Sequence, residues 1–233
     1  MLAILDYGAG NIASMRLAFR HLGVKARFVR CARDAAGAER LVFPGVGSAA
    51  ACMAEIRKRG FDRTLAEARE RSTPTLAVCI GLQLLFDSSD EDRGVETLGF
   101  WPGAVRRFTF PSTNGETPKV PHMGWNRVRR LAPHPLWPPE ETLEDEAYYF
   151  VHSYHAVPGW LAGGDAICEP RAVAVQHLPA PTVCGVTEYC GSVFASAVGA
   201  GSFFATQFHP ERSGAAGLAL LRRFSDWDGS PCC

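Results

Sequence analysis

The chain has 233 residues, 47% hydrophobic and 21% charged, with Lys+Arg and Asp+Glu at 24 each. A single domain of this size buries a substantial core, and zero formal net charge offers no broad attraction to nucleic acid or a membrane surface. The eight cysteines follow a start, MLAILDYGAG, with neither a basic n-region nor a long apolar h-region, so reduced thiols in a cytoplasmic protein are expected rather than a disulfide framework; no run is long enough to span a membrane.

LAILD reads as a strand, NIASMRLAFRHLG as a helix and KARFVR as a second strand. GAGNIA, between the first two, fits the dinucleotide fingerprint GxGxxA. Arg30, closing the second strand, could take a 2′-phosphate, so an NADP-binding oxidoreductase stands as one alternative. LVF is a third strand and runs into PGVG, where Gly45, Val46 and Gly47 form a turn whose backbone N–H groups can stabilise an oxyanion. A helix from about Ser48 to Arg59 and another in FDRTLAEARERS continue the alternation, which predicts a parallel sheet with helices on both faces.

TLAVCIGLQLLF carries the strongest chemical signal. Thr75 to Val78 is a strand, LQLLF reads as the first turns of a helix, and Cys79 sits on the sharp turn between them, with small Ala77 and Gly81 letting strand and helix pass closely. A thiol at a helix N-terminus feels the positive end of the macrodipole, which favours thiolate. For an isolated cysteine the plain alternative is a small buried apolar residue; the elbow is what sets Cys79 apart. Cys31, Cys52, Cys168, Cys184 and Cys190 lack CxxC spacing or histidines placed for zinc, so no metal is expected. Cys232 and Cys233 end a tail expected to fray from about residue 227.

From Gly99 to Pro139 the pattern changes to short strands with many prolines and aromatics, and YYFVHSYHAV, SVFASAVG and SFFATQF read as antiparallel strands. A mixed, mostly parallel central sheet in one domain over residues 1–233 follows. QFHPERS places His209 two residues before Glu211, and a histidine base needs such a carboxylate to fix its tautomer and ring orientation. His21, His122, His134, His152, His155 and His177 have no carboxylate so close behind, and each alone reads as a surface or satisfied core residue. LALLRRFSDW is a final helix expected to pack Leu218, Leu221 and Phe224 on the sheet.

LDYGAGN, FPGVG, CIGLQLLF, KVPHMGWN, YYFVHSY, TEYCGSVFASAV and QFHPERS together resemble the class I (triad) glutamine amidotransferases over nearly the whole chain. KVPHMGWN followed by YFVHSY is similar to the glutaminase subunits of imidazole glycerol phosphate synthase in particular. The resemblance implies the flavodoxin-like α/β fold of that class and hydrolysis of L-glutamine without a cofactor. Cys79 would be the nucleophile, His209 the proton shuttle and Glu211 the residue orienting it. It further implies an oxyanion hole around Gly47, Val46 and Ile80, and a glutamine pocket with Gln83, Glu91, His152, Ser153 and Tyr154, where Asp90 or Asp92 is the competing register for Glu91. The implied partner is a cyclase (β/α)₈ barrel subunit that receives the ammonia in histidine biosynthesis. Gly10, Asn11, Trp125, Tyr149 and Arg212 would meet it, with Met123 and Tyr148 as further aromatic or sulfur-bearing candidates. Ala77 stands where the family commonly has glycine, Ile80 and Leu82 replace leucine and methionine, and Arg212 replaces lysine. Another ammonia-channelling synthase, an elbow-cysteine hydrolase and a non-catalytic scaffold are the remaining alternatives.

Overall fold

The computed structural model describes residues 1–8, 12–110, 118–137, 146–161 and 181–230. Gly10, Asn11, Cys168, His177, Cys232 and Cys233 lie outside the described residues.

The first half alternates as its periodicity predicts: β1 (Leu2–Leu5), α1 (Ile12–His21), β2 (Ala26–Val29), α2 (Ala32–Ala35), β3 (Arg40–Phe43), α3 (Ala49–Arg59), α4 (Phe61–Glu70) and β4 (Thr75–Val78). α1 buries Met15, Ala18 and Phe19, and α3 buries Ala49, Cys52, Met53 and Ile56. This is the i, i+3, i+4 spacing of an apolar stripe. Ser48 caps α3, its hydroxyl accepting the Ala51 N–H at 3.4 Å. β1 and β4 are buried at every residue, as expected of central strands covered on both faces.

The elbow helix is shorter than expected. α5 (Ile80–Gln83) is a single turn, after which the chain forms β5 (Ser88–Ser89) and β6 (Val95–Glu96). Its macrodipole is correspondingly small, so any help to the thiolate comes from the first free amides rather than from a long helix. The rest is β7 (Gly103–Arg107), β8 (His122–Arg130), β9 (Glu146–His152), β10 (Tyr154–Pro158), β11 (Thr182–Tyr189), β12 (Ser192–Ala200), β13 (Phe203–Thr206) and α6 (Gly214–Asp226).

The main sheet has the order β2-β1-β3-β4-β13-β12-β11-β8-β9. Its strands are parallel from β2 to β13 and antiparallel from β13 to β9, so the sheet is mixed, with its parallel half at one end. A second sheet, β10-β7-β5-β6, lies beside it. YYFVHSYHAV is therefore two strands, broken at Ser153, with β9 in the large sheet and β10 in the small one.

Alternation along β1 distributes the core. Ala3 and Leu5 pack with Met53, Ile56, Phe61 and Leu65 on one face. Leu2 and Ile4 pack with Phe19, Phe204, Leu221 and Phe224 on the other. α6 turns Gly217, Leu220, Leu221 and Phe224 inward and leaves Leu218 partly buried at the margin. Fraying does not begin at residue 227 as expected: Trp227 is buried, its carbonyl accepts from Arg40 Nη2 at 2.8 Å and its indole N–H donates to Ser230 O at 2.9 Å. Among the described residues, no helix is long and apolar enough to cross a membrane.

Candidate active site

β3, β4 and β13 are neighbours in the sheet, and Gly45, Cys79 and His209 each follow the C-terminal end of one of them. In parallel sheets this end is where loops converge into a site. Cys79 has φ 56° and ψ −108°, a conformation that costs a non-glycine residue on the order of 1–3 kcal/mol. The turn is held by Cys79 N–H donating to Thr206 O at 2.7 Å. Close passage is enforced on both sides: a Cβ on Gly81 would lie 2.1 Å from Phe43 O, and one on Gly45 would lie 1.8 Å from Ile80 Cγ2.

His209 is buried between β13 and a 3-10 turn, Pro210–Arg212. Its Nδ1 lies 2.8 Å from Glu211 Oε1, so Nδ1–H donates and Nε2 is the nitrogen left for chemistry; Nε2 has no hydrogen-bond partner among the described residues. Burial opposes the imidazolium, but the Cys79 sulfur, as thiolate, and the Glu211 carboxylate outweigh it and raise the His209 pKa. Ser213 stitches the turn in place, its hydroxyl donating to His209 O at 2.6 Å and accepting the Tyr149 N–H at 3.0 Å. His209 N–H in turn donates to Tyr149 O at 2.9 Å.

A cavity of about 340 Å³ opens over the thiol, lined by Val46, Gly47, Cys79, Ile80, Gln83, Glu91, His152, Ser153 and Tyr154, with Pro121 and Val151. Every residue expected in the oxyanion hole or the glutamine pocket is among them. The three acidic side chains of residues 90–92 take different places. Asp90 pairs with Arg106, and Asp92 accepts the Ala50 N–H at 3.1 Å. Glu91 lines the cavity with Oε2 accepting the Ala49 N–H at 2.8 Å. Burial, aided by nearby Asp92, raises its pKa despite that bond. Among the described residues, no group of three or more His, Cys, Asp or Glu is arranged to hold a metal ion.

Sequence reasoning passed over Gln207, although it stands in the QFHPERS stretch. It is fully buried, its amide N–H points to Cys79 Sγ at 3.7 Å, and its Oε1 receives Gln83 Nε2 at 3.0 Å. The available signal was an amide in a buried apolar run, which needs partners inside the protein. Ser213 was passed over in the same way.

On the outer surface, Trp125 and Met123 are 58% and 62% exposed. The Trp125 ring meets Tyr149 edge-on at 6.3 Å, and the Arg212 guanidinium sits 4.4 Å from the Tyr149 ring centroid. These three expected interface residues are one contiguous ladder. A planar guanidinium stacks on an aromatic ring in a way that lysine cannot, which accounts for Arg212 locally. Tyr148 is not part of this surface: the pleat turns it inward, where it is buried and stacks on Phe208 at 4.1 Å.

Residues 3–226 match the family model described as glutamine amidotransferase class-I. The chain is 41% identical over 230 residues to the imidazole glycerol phosphate synthase subunit HisH of Pseudomonas syringae pv. syringae, with 97% of both chains covered. It is 43% identical over 231 residues to subunit HisH 1 of the same synthase from Pseudomonas aeruginosa, at the same coverage. Among solved structures it is similar in fold to a glutamine amidotransferase, with TM-score 0.65, 18% identity and 97% of each chain covered. It is also similar in fold to PurLQS from Thermotoga maritima, with TM-score 0.64, 16% identity and 97% of each chain covered.

Proposed function

The chain belongs to the class I glutamine amidotransferases, and from that premise we propose that Cys79, His209 and Glu211 are its catalytic triad, in one amidotransferase domain spanning residues 1–233. It is the glutaminase subunit of an imidazole glycerol phosphate synthase, acting in histidine biosynthesis. The Cys79 thiol passes its proton to His209 Nε2, and its sulfur attacks the side-chain amide carbon of glutamine. The resulting oxyanion is held by backbone N–H groups of Ile80 and of the Val46–Gly47 turn. His209 gives its Nε2 proton to the leaving ammonia, and a glutamyl thioester remains. Water attacks the thioester with His209 as base; glutamate leaves and the thiol is restored. Glu211 keeps the imidazole in one tautomer throughout. The Glu91 carboxylate serves the substrate's α-ammonium group, a cation that needs a partner when it leaves water.

The observation that carries this reading is a thiol on a strained elbow, under a cavity, beside a histidine whose other nitrogen is 2.8 Å from a buried carboxylate. The partner is the cyclase subunit, which is a (β/α)₈ barrel in a heterodimer with this chain and takes the ammonia without release to solvent. Trp125, Tyr149 and Arg212 are its docking ladder, and the GAGN stretch with Gly10 and Asn11 belongs to the same interface by its resemblance to the family. The dinucleotide alternative has less support, since Arg30 is engaged with Asp6 at 3.3 Å and leaves the triad unused.

The test is glutamate release from glutamine by the purified chain, alone and with the cyclase subunit loaded with its nucleotide substrate. Turnover with the loaded partner, lost in Cys79→Ala, is expected; no turnover in any mixture would overturn the reading.

A further inference from the structure

Two buried histidines beside the cavity are each restricted to one protonation state by their neighbours. His152 Nδ1 lies 2.8 Å from the Tyr154 carbonyl oxygen, which can only accept, so Nδ1 carries the proton and Nε2 is an acceptor. That Nε2 is 3.0 Å from His122 Nδ1, which must therefore donate. His122 Nε2 then accepts the Asn126 side-chain N–H at 3.2 Å. Asn126 is oriented in turn: its Nδ2 donates to Glu188 O at 2.8 Å and its Oδ1 accepts the Arg127 N–H at 2.8 Å. Both rings are neutral Nδ1–H tautomers. Burial agrees in direction, lowering the His122 pKa to about 4 and, with smaller effects from nearby histidines, the His152 pKa to about 3.

The series continues to the nucleophile. Tyr154 O also accepts Gln83 Nε2 at 2.8 Å, Gln83 Nε2 reaches Gln207 Oε1 at 3.0 Å, and Gln207 Nε2 points to Cys79 Sγ at 3.7 Å. At its far end Asn126 follows Trp125 on β8, the strand whose register sets His122 opposite His152. We propose that His122 is a positioning residue for glutamine hydrolysis: its Nδ1–H holds the His152 ring, and through the Tyr154 carbonyl and two glutamine amides it fixes the cavity wall and the Cys79 sulfur relative to β8. This rests on the triad assigned above. His122 does not itself line the cavity, and it reaches the sulfur only through His152 and the residues beyond it, so its effect is transmitted rather than direct.

The competing role is packing, because the His122 ring also stacks on Phe150 at 4.8 Å and on Tyr189 at 4.2 Å. Two substitutions separate the roles. His122→Asn keeps an N–H donor near the Nδ1 position and loses the ring; His122→Phe keeps the ring and loses the donor. Each is measured as the full chain with the loaded cyclase subunit, reading kcat and KM for glutamine together with the melting temperature. We expect His122→Phe to melt at or above His122→Asn, yet to show a kcat about tenfold lower, the consequence of leaving His152 Nε2 buried without its donor. KM should change less than kcat, and His122→Asn should retain most of the wild-type kcat. A His122→Phe variant with wild-type kcat, or losses in both variants that simply follow their melting temperatures, would overturn the proposal. If the wild type itself shows no turnover with the loaded partner, the functional reading fails instead. Alkylation of Cys79 by iodoacetamide in the isolated chain then decides the inference: slower or faster reaction in His122→Phe alone supports it, and rates equal to wild type refute it.

Discussion

Cys79 and His209 illustrate two ways in which a single residue is held away from its relaxed state. At Cys79 the constraint is backbone strain. Glycine usually costs a folded protein stability relative to alanine, but at φ 56° and ψ −108° the order should invert. Cys79→Gly is expected to unfold at higher denaturant than Cys79→Ala, by about 1–2 kcal/mol, in equilibrium urea titrations; the usual order would mean that the elbow is unstrained. At His209 the constraint is charge. Its raised pKa keeps the imidazolium, the acid needed by departing ammonia, present to higher pH than an ordinary histidine allows, and activity is lost as pH rises through that value. Glu211 is one of the groups raising it. Glu211→Gln should therefore move the alkaline limb of the kcat/KM profile, which reports the free enzyme, to lower pH as well as lower its plateau, and an unmoved limb would remove Glu211 from this role. The elbow at Cys79 and the His209–Glu211 contact were readable in the sequence because each lies within one short segment. Gln207, Ser213 and His122 were not, since their partners, Cys79, Tyr149 and His152, come from other strands and only the fold reveals them.

At the scale of elements, the parallel half was readable because helix and strand periods alternate there, with a short turn at each boundary. Where the reading failed, distant pairing had decided the structure. β10 leaves the main sheet because its residues pair with β7, and no local pattern in YYFVHSYHAV announces the break at Ser153. LQLLF has a helical composition, but its backbone is drawn into contacts with the following loop: Phe100 and Trp101 N–H groups both donate to Leu85 O, which ends α5 after one turn. α6 has a catalytic consequence through one residue. A Cβ at Gly217 would stand 1.9 Å from Pro210 O, so the helix approaches the turn bearing His209 and Glu211 as closely as it does only because no side chain intervenes. Gly217→Ala should destabilise the protein by about 1–3 kcal/mol through overpacking and, by pushing the Pro210–Arg212 turn, lower kcat even in the fraction that remains folded. Wild-type turnover at reduced stability would show that the turn tolerates the displacement.

Across the whole molecule, the parallel half supplies the elbow and the antiparallel half supplies both the far wall of the cavity and the exposed aromatic face. β9 carries both: its His152 lines the cavity, while Tyr149, which the pleat turns to the opposite face, joins Trp125 and Arg212 outside. Alternation along one strand thus sets an outward surface within a few residues of the nucleophile, and the same strand cannot shift its outer face without disturbing the inner one. Large, rigid aromatics at the centre of an interface commonly dominate its binding energy. Trp125 is 58% exposed in the isolated chain, so its contribution to folding is small compared with what docking against a partner would recover. Trp125→Ala is accordingly expected to leave the melting temperature of the isolated chain nearly unchanged while weakening the complex with the cyclase subunit by about 2 kcal/mol or more, read by calorimetric titration. Equal affinity for wild type and variant would move the docking surface elsewhere, whereas a large drop in melting temperature would show that Trp125 belongs to the fold of this chain.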